Sequence, residues 1–242
     1  MDQHKPILAF QVTERLSHYN LTLASSSPRR KEILQRLGVD FLTIPSTFPE
    51  TLDKSTFAHP SAYVRHTALE KACEVMQRCK HERSVVISGD TIVVLDDRIL
   101  EKPTSIDDAY TMLRELSGRE HSVLTAIAIL VRYDDTSKPP FIQHLNEHGT
   151  NLPISAISVN PPGCHIISFV EETKVYFADI TEDLLKAFIH TGEPMDKAGG
   201  YGYQSLAALF IRKIDGCYYN CIGFPLFRVV DTLQTMIAQG VI

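Results

Sequence analysis

The stretch SVVISGDTIVVL, residues 84–95, decides the fold. Its many Val and Ile residues are typical of a β-strand. The next two residues, Asp96 and Asp97, favour a tight turn, and Arg98–Leu100 then continues as a short second strand. The sequence therefore predicts a long strand that begins a hairpin.

Strand-like and helix-like segments alternate on both sides of this hairpin. Further strands are predicted at residues 21–25, 41–45, 123–132, 171–177, 209–214 and 217–220. Helices are predicted to begin after Ser27, Pro60, Ser105, Thr181 and Pro225. Ser27-Pro28 is a capping serine followed by a proline suited to the first helical position. This alternation predicts an α/β architecture.

Two segments depart from this pattern. Residues 133–168 are rich in Pro, Asn, His and Ser, which predicts an insertion that projects from the domain surface. Replacement of residues 134–160 by a short Gly/Ser link is expected to be tolerated, with at least part of the activity kept. Residues 1–20 form a polar N-terminal extension. We expect a single domain over residues 1–242 that carries both.

Composition excludes several classes of protein. A chain of 242 residues with 44% hydrophobic and 22% charged residues can form a packed core. The net charge of -5 argues against binding a nucleic-acid polymer. The five cysteines show no CxxC or zinc-like spacing. Neither a signal-peptide pattern nor a membrane-spanning apolar run occurs, so the prediction is a cytoplasmic protein without membrane association.

The first turn of the helix after Ser27 contains Arg29, Arg30 and Lys31. Cations are disfavoured there because the positive end of the helix dipole lies at the N-terminus. One explanation is a solvated basic patch. The favoured explanation is an anion site, since backbone N–H groups, the dipole and guanidinium groups all bind phosphate.

Gly89-Asp90-Thr91 interrupts the apolar run of residues 85–95. Aspartate is uncommon in strands and costly to bury alone. A tight turn or a bulge at Gly89 would explain it. The functional hypothesis places Asp90 at a strand end, facing a cleft, as a metal ligand, a general base or both.

A glycine-rich segment, EPMDKAGGYGYQ at residues 193–204, would let backbone approach a ligand closely, although a flexible connector is the alternative. Lys102 adds a cation soon after Asp90. The phosphate-binding patterns GxxxxGK[ST] and GxGxxG are absent, and the histidines are scattered. Together these features indicate chemistry on a polyphosphate with a carboxylate-held Mg²⁺ or Mn²⁺.

The chain resembles the Maf family of nucleotide pyrophosphatases, also called septum-formation-inhibitor-like proteins. The matching stretches occur in the family's order from about Leu21 onward, outside the insertion. They are LASSSPRRKEIL, ALEKA, SGDTIVV, ILEKP, MLRELSGREHSV, TGEPMDKAGGYGYQ and GCYYNCIGFPL.

The resemblance implies an inosine-triphosphatase-like α/β fold, with a mixed sheet, flanking helices and two lobes around a central cleft, in a homodimer. It also implies metal-dependent hydrolysis of a nucleoside triphosphate between the α and β phosphates. Asp90, Lys71 and Lys102 would be catalytic; Ser25, Arg30 and Lys197 would bind phosphate; Asp90 and Glu50 would hold the metal.

The resemblance also predicts which nucleotide base the site accepts. The family's dTTP/UTP branch differs from its 7-methyl-GTP branch at three positions, and Arg29, Thr91 and Gln204 match the pyrimidine branch. The amide of Gln204 offers a donor and an acceptor, as the uracil edge requires. Two alternatives stay open: a broader house-cleaning pyrophosphatase for modified nucleotides, and a nucleotide-binding regulator of cell division without catalysis.

Overall fold

The computed structural model of the chain describes residues 10–133, 141–145 and 163–242. Its strands are β1 Asn20–Ala24, β2 Leu42–Thr43, β3 Ser84–Leu95, β4 Arg98–Leu100, β5 Glu120–Arg132, β6 Ile142–Leu145, β7 Cys164–Phe177 and β8 Ile211–Asp215. Its helices are α1 Phe10–Leu16, α2 Pro28–Gln35, α3 Pro60–Arg78, α4 Ile106–Leu116, α5 Glu182–His190, α6 Tyr218–Cys221 and α7 Leu226–Ala238.

All strands in the described part of the chain join one eight-stranded mixed sheet, in the order β2-β1-β3-β5-β7-β6, with β4 paired to β3 and β8 paired to β7. The long strands β3, β5 and β7 are antiparallel neighbours. The parallel partner β1 follows β3 only as far as Ser88, and the antiparallel partner β4 starts at Val93. Residues 89–92 therefore lie between these two partners, at an opening in the sheet edge.

Three apolar clusters surround the long strands. α3 covers one face of the sheet, and α1, α2 and α7 cover the other. A third cluster joins the far ends of β3, β5 and β7 to α4 and α5. The opening in the sheet edge lies between the third cluster and the first two, so the molecule has two lobes with a cleft between them. The predicted mixed α/β fold is confirmed.

Local sequence signals place the ends of several elements. The hydroxyls of Ser27, Ser105 and Thr181 each accept a backbone N–H from the first turn of α2, α4 and α5. Asp96 and Asp97 both adopt positive φ, at 50° and 62°, in the turn between β3 and β4. Aspartate tolerates this left-handed conformation better than most residues. The predicted helix starts and hairpin turn are confirmed.

Of the last two predicted strands, one is absent and the other begins later than expected. Residues 217–220 were expected to be a strand, but Tyr218–Cys221 is a single helical turn. The last strand of the sheet begins at Ile211, because residues 206–209 form a 3₁₀ turn. The first segment contains two tyrosines and the second is apolar, and both compositions occur in short strands and in buried turns.

The predicted insertion of residues 133–168 also has to be corrected. Its last residues already belong to β7, which begins at Cys164. Residues 142–145 form β6, which pairs in parallel with β7 and buries His144 against the hydroxyl of Ser168 at 2.7 Å. A deletion of residues 134–160 would remove β6, so the expectation that such a deletion is tolerated is not supported. Residues 134–140 and 146–162 lie outside the described part of the chain.

Part of the N-terminal extension is structured. Val12 and Leu16 of α1 are buried in the same apolar cluster as Leu233 and Met236 of α7. The extension therefore contributes to the core. Among the described helices, none is both long and apolar enough to cross a bilayer.

Candidate active site

Asp90 and Thr91 point to opposite faces of the sheet, because side chains alternate along a strand. Asp90 shares its face with Val86 and Ile92, which pack in the apolar cluster of α3. Thr91 faces α2, where its hydroxyl contacts Arg30. Strand β3 therefore places a carboxylate toward one helix and a hydroxyl toward the other, where neither β1 nor β4 pairs with it.

Lys71 of α3 lies between two carboxylates. Its Nζ donates to Asp90 Oδ1 and to Glu50 Oε1, both at 2.8 Å. Asp90 and Lys71 are buried, whereas the Glu50 side chain is 56% exposed. Burial raises the pKa of Asp90 above its ordinary range, although the positive charges of Lys71 and Arg30 oppose the rise. Asp90 is therefore a stronger base than an exposed aspartate.

Glu50 responds differently to the same lysine. Burial raises its pKa, but the hydrogen bond and charge of Lys71, together with the charges of Lys102 and Arg30, hold the pKa below its ordinary value. Glu50 is thus the more firmly ionised of the two carboxylates. It lies in the segment between β2 and α3, which is anchored nearby by hydrogen bonds from Ser46 and Thr47 to Glu74.

Arg30 extends from the first turn of α2 into the space beside Thr91. Its Nε donates to Gly223 O at 2.8 Å, and its terminal nitrogens donate to Ser25 Oγ at 3.3 Å and Thr91 Oγ1 at 2.9 Å. A Cβ at Gly89 would lie 3.3 Å from the Nε of Arg30, so this glycine leaves room for the guanidinium group. Burial lowers the pKa of Arg30.

The glycine-rich segment supplies a further cation. Lys197 Nζ donates to Glu193 O at 2.8 Å and to Asp196 Oδ1 at 2.6 Å. A Cβ at Gly202 would lie 2.8 Å from the Lys197 side chain, so the glycine is needed for this arrangement. Asp196 also lies 3.9 Å from Arg29, which links the segment to the start of α2.

These groups surround one cavity of about 430 Å³. Its charged lining consists of five cations and four carboxylates: Arg29, Arg30, Lys71, Lys102, Lys197, Glu50, Asp90, Glu101 and Asp196. Glu101 Oε1 accepts from Tyr63 and its Oε2 accepts from Lys54, at 2.7 and 2.6 Å. The volume is within the usual range for a small-molecule site.

A sequence model of the family described as "Maf-like protein" matches residues 20–236. A dTTP/UTP pyrophosphatase of Geobacillus sp. (strain WCH70) is 41% identical over 89% of this chain and 97% of its own length. The chain belongs to the Maf-like family. A dTTP/UTP pyrophosphatase of Thermoanaerobacter sp. (strain X514) is 37% identical over 88% of this chain and 95% of its own.

A human protein also matches this Maf-like chain, with 43% identity over 89% of the chain. It is described as a probable bifunctional dTTP/UTP pyrophosphatase/methyltransferase protein. The alignment covers 32% of the human protein, so the chain spans about a third of that relative.

In this Maf-like protein, every predicted site residue lines the same cavity. The predicted set is Ser25, Arg29, Arg30, Glu50, Lys71, Asp90, Thr91, Lys102, Lys197 and Gln204. One expectation about position is wrong: Asp90 lies inside the continuous strand β3, not at its end, and its pairing with Ala126 shows no bulge. Asp90 is nevertheless open to the cleft, because the neighbouring strand β1 ends at Ala24, which pairs with Ser88. The individual roles of these residues stay predictions.

The acidic residues of the Maf-like site suit a metal that arrives with a phosphate ligand. Among the described residues, no cluster of three or more His, Cys, Asp or Glu could hold a metal ion alone. Asp90 and Glu50 do lie close together, since both contact the same Lys71 nitrogen. Mg²⁺ commonly binds one or two carboxylates together with substrate phosphates, so this pair fits such an ion.

Three residues of the Maf-like site were missed in the sequence. Glu101 lines the cavity beside Lys102, and the motif ILEKP contains both, but only the lysine was predicted to belong to the site. Thr125 and Asn220 are fully buried and do not line the cavity, but hydrogen bonds connect them to Thr91, which does. Asn220 was not predicted because its segment was expected to be a strand. Thr125 was not predicted because threonine is common in apolar strands. A polar residue within each of those segments was the available signal.

Proposed function

We propose that this chain hydrolyses dTTP, UTP and related pyrimidine nucleotides to the nucleoside monophosphate and pyrophosphate. The observation that carries the proposal is the buried Asp90, held by Lys71 at 2.8 Å at the wall of a cavity rich in cations. The names of the relatives at 37–43% identity support the same reaction and the same bases.

In this proposal the cations bind the phosphates, and Asp90 is the general base that accepts the proton of the attacking water. Arg30, Lys102 and Lys197 would offset charge on the triphosphate and on the departing pyrophosphate. Asp90 would take a proton from a water whose oxygen bonds to the α phosphorus, while the bond from that phosphorus to the bridging oxygen breaks. Lys71 would keep the carboxylate in place.

The charge balance supports a requirement for Mg²⁺ or Mn²⁺. Five cations against four carboxylates leave the cavity with little net positive charge to offer a triphosphate. Asp90 and Glu50 would hold the ion, which when bound supplies positive charge next to the phosphates. We include the homodimer in the proposal on the strength of the resemblance, and the cytoplasmic location as predicted from the sequence.

Neither alternative function has an observation in its favour that the proposal lacks. The buried pair of Asp90 and Lys71 favours catalysis over a regulator without it, because the pair lies at the wall of a cavity lined by cations. A broader house-cleaning enzyme would share the whole phosphate site and would differ only in how it treats the base. Measurement of activity on a panel of nucleotides therefore decides between the house-cleaning enzyme and the proposed pyrimidine-specific enzyme.

We expect kcat/KM for dTTP and UTP to exceed that for GTP, ATP and 7-methyl-GTP by at least about 100-fold, because mismatched polar groups are costly. Gln204 lines the cavity but its side chain is exposed, so its amide would become buried only against a bound base. Gln204→Ala should reduce the preference by about 10-fold, as expected for one or two hydrogen bonds, with little change in kcat for UTP.

The matched control is Gln239→Ala, an exposed glutamine beyond α7 that does not line the cavity. It should leave both the preference and kcat unchanged. Equal kcat/KM on purine and pyrimidine triphosphates in the unmodified protein would favour the house-cleaning alternative. A Gln204→Ala protein that keeps the full preference would remove Gln204 from base choice.

A further inference from the structure

Thr125 is buried at the centre of β5, directly opposite Thr91 of β3. The two hydroxyl oxygens lie 3.0 Å apart. Thr125 Oγ1 also donates to the backbone carbonyl of Asn220 at 3.1 Å, and Thr91 Oγ1 accepts from Arg30 at 2.9 Å. Four residues thus form a continuous chain of hydrogen bonds from the cavity to the turn at α6.

The chemistry of the end groups fixes the direction of this chain. A carbonyl oxygen can only accept, so the single hydroxyl proton of Thr125 goes to Asn220. The proton between the two threonines must therefore come from Thr91. A guanidinium group can only donate, so Thr91 accepts from Arg30 with a lone pair. Both hydroxyl protons are thus used within the chain of hydrogen bonds. Each residue donates to the next, in the order Arg30, Thr91, Thr125, Asn220.

The far end of the chain is rigidly held. Asn220 is fully buried, and its Nδ2 donates to Val123 O and to Thr173 Oγ1, both at 3.0 Å. Thr173 also exchanges hydrogen bonds with the backbone of Cys217. The carbonyl of Asn220 accepts a second bond, from Gly223 N at 2.8 Å. The α6 turn is thereby tied to β5 and β7.

The same turn holds Arg30 from a second side. Gly223 O accepts from Arg30 Nε at 2.8 Å. Gly223 has a φ of 99°, and a Cβ there would lie 3.1 Å from the hydroxyl oxygen of Thr91. Glycine therefore lets the turn approach Thr91 and Arg30 together. Two of the three hydrogen bonds that orient the guanidinium group depend on the α6 turn.

We propose that Thr125 is a positioning residue, which holds the Arg30 guanidinium in its phosphate-binding orientation through Thr91. The proposal rests on the function proposed above only for the role of Arg30 in binding phosphate. It also gives Thr91 a task within the protein, since its hydroxyl proton goes to Thr125 and is not offered to a substrate. A contribution of Thr91 to base choice would then come from its shape or its effect on Arg30.

The test is Thr125→Val, which keeps the shape of the side chain and removes the hydroxyl, with Thr125→Ser as the variant that restores it. We expect KM for UTP to rise about 10-fold in Thr125→Val, the upper range for loss of one neutral hydrogen bond, and to return to within about 3-fold in Thr125→Ser. Ser168→Ala is the matched control, because it removes another fully buried hydroxyl, the partner of His144. It should leave KM unchanged.

A double-mutant cycle separates positioning from general damage to the fold. Arg30→Lys keeps the charge but removes the forked donors, so adding Thr125→Val to it should change KM by less than about 2-fold. An effect as large as in the unmodified protein would contradict the proposal. A loss of kcat at constant KM, with a melting temperature below that of Ser168→Ala, would reduce Thr125 to a structural residue and overturn it.

An NMR measurement that does not depend on catalysis tests the positioning role of Thr125 separately from the proposed function. The Nε–H of Arg30 should give a protected, shifted ¹H–¹⁵N NMR signal, assigned by its absence in Arg30→Lys. Thr125→Val should move or broaden that signal, and Thr125→Ser should restore it. An unchanged signal would overturn the positioning role whatever the kinetics. A changed signal with unchanged KM would keep the positioning role and remove Arg30 from phosphate binding.

Discussion

Asp90→Asn should lower kcat for UTP by at least about 100-fold, the lower range for loss of a positioned base. Asparagine has nearly the same shape, but it cannot accept the proton of the attacking water and is a poor ligand for Mg²⁺. The fold should persist, because Lys71 retains its 2.8 Å ion pair with Glu50. Steady-state kinetics and a melting curve measure the two effects.

Asp97→Asn is the matched control for Asp90→Asn. It removes a carboxylate a few residues away, in the turn after β3, where φ is 62° and asparagine is well tolerated. Its kcat should stay within about 2-fold of the unmodified protein. A folded Asp90→Asn protein with near-normal turnover would show that Asp90 is not the base.

Lys71→Met should have the largest effect on stability. It leaves the buried carboxylate of Asp90 without its 2.8 Å partner, and Glu50 loses the same partner. Removal of one member of a buried ion pair typically costs about 3–5 kcal/mol. Since Glu50 is half-exposed, we expect the lower end, about 3 kcal/mol, in the free energy of unfolding, together with loss of activity.

Two further measurements make the Lys71 prediction specific. Adding Asp90→Asn to Lys71→Met should restore part of the stability, since it removes the unpaired charge, but none of the activity. Lys186→Met is the control, because Lys186 pairs with Glu182 on the surface, with side-chain exposures of 66% and 45%, and such pairs contribute about 0–1 kcal/mol. Equal destabilisation by the two lysine variants would contradict a buried charge cluster.

The sequence predicted the principal charged residues of the site because they break local rules. Asp90 stands in an apolar strand and Arg30 in a helix turn that disfavours cations, so neither is explained by its own element. The sequence did not predict that strand β3 faces α3 on one side and α2 on the other, which is what brings Asp90 and Arg30 to one cavity. The glycine-rich segment with Lys197 was also predicted from its composition. Ser25, Glu50 and Lys71, and the role of Gln204 in base choice, needed the family resemblance.

The sequence could not predict contacts that exist only after distant segments meet. Thr125 and Asn220 lie 95 positions apart in the chain, and each fits its own segment without a partner. The aromatic residues around α6 suit a strand as well as a buried turn, so local propensity gave the wrong element there. Strand β6 has four residues and pairs with β7 only through tertiary contacts, which left the insertion boundary misplaced.

Hydrolysis of UTP in H₂¹⁸O tests the central claim most directly. Purified protein would be incubated with Mg²⁺ and UTP, and the masses of the separated products would be measured by mass spectrometry. Attack at the α phosphorus predicts UMP that carries one ¹⁸O atom, unlabelled pyrophosphate, and neither product when Mg²⁺ is removed with a chelator. Label in the pyrophosphate, or release of orthophosphate and UDP as the first products, would contradict the account.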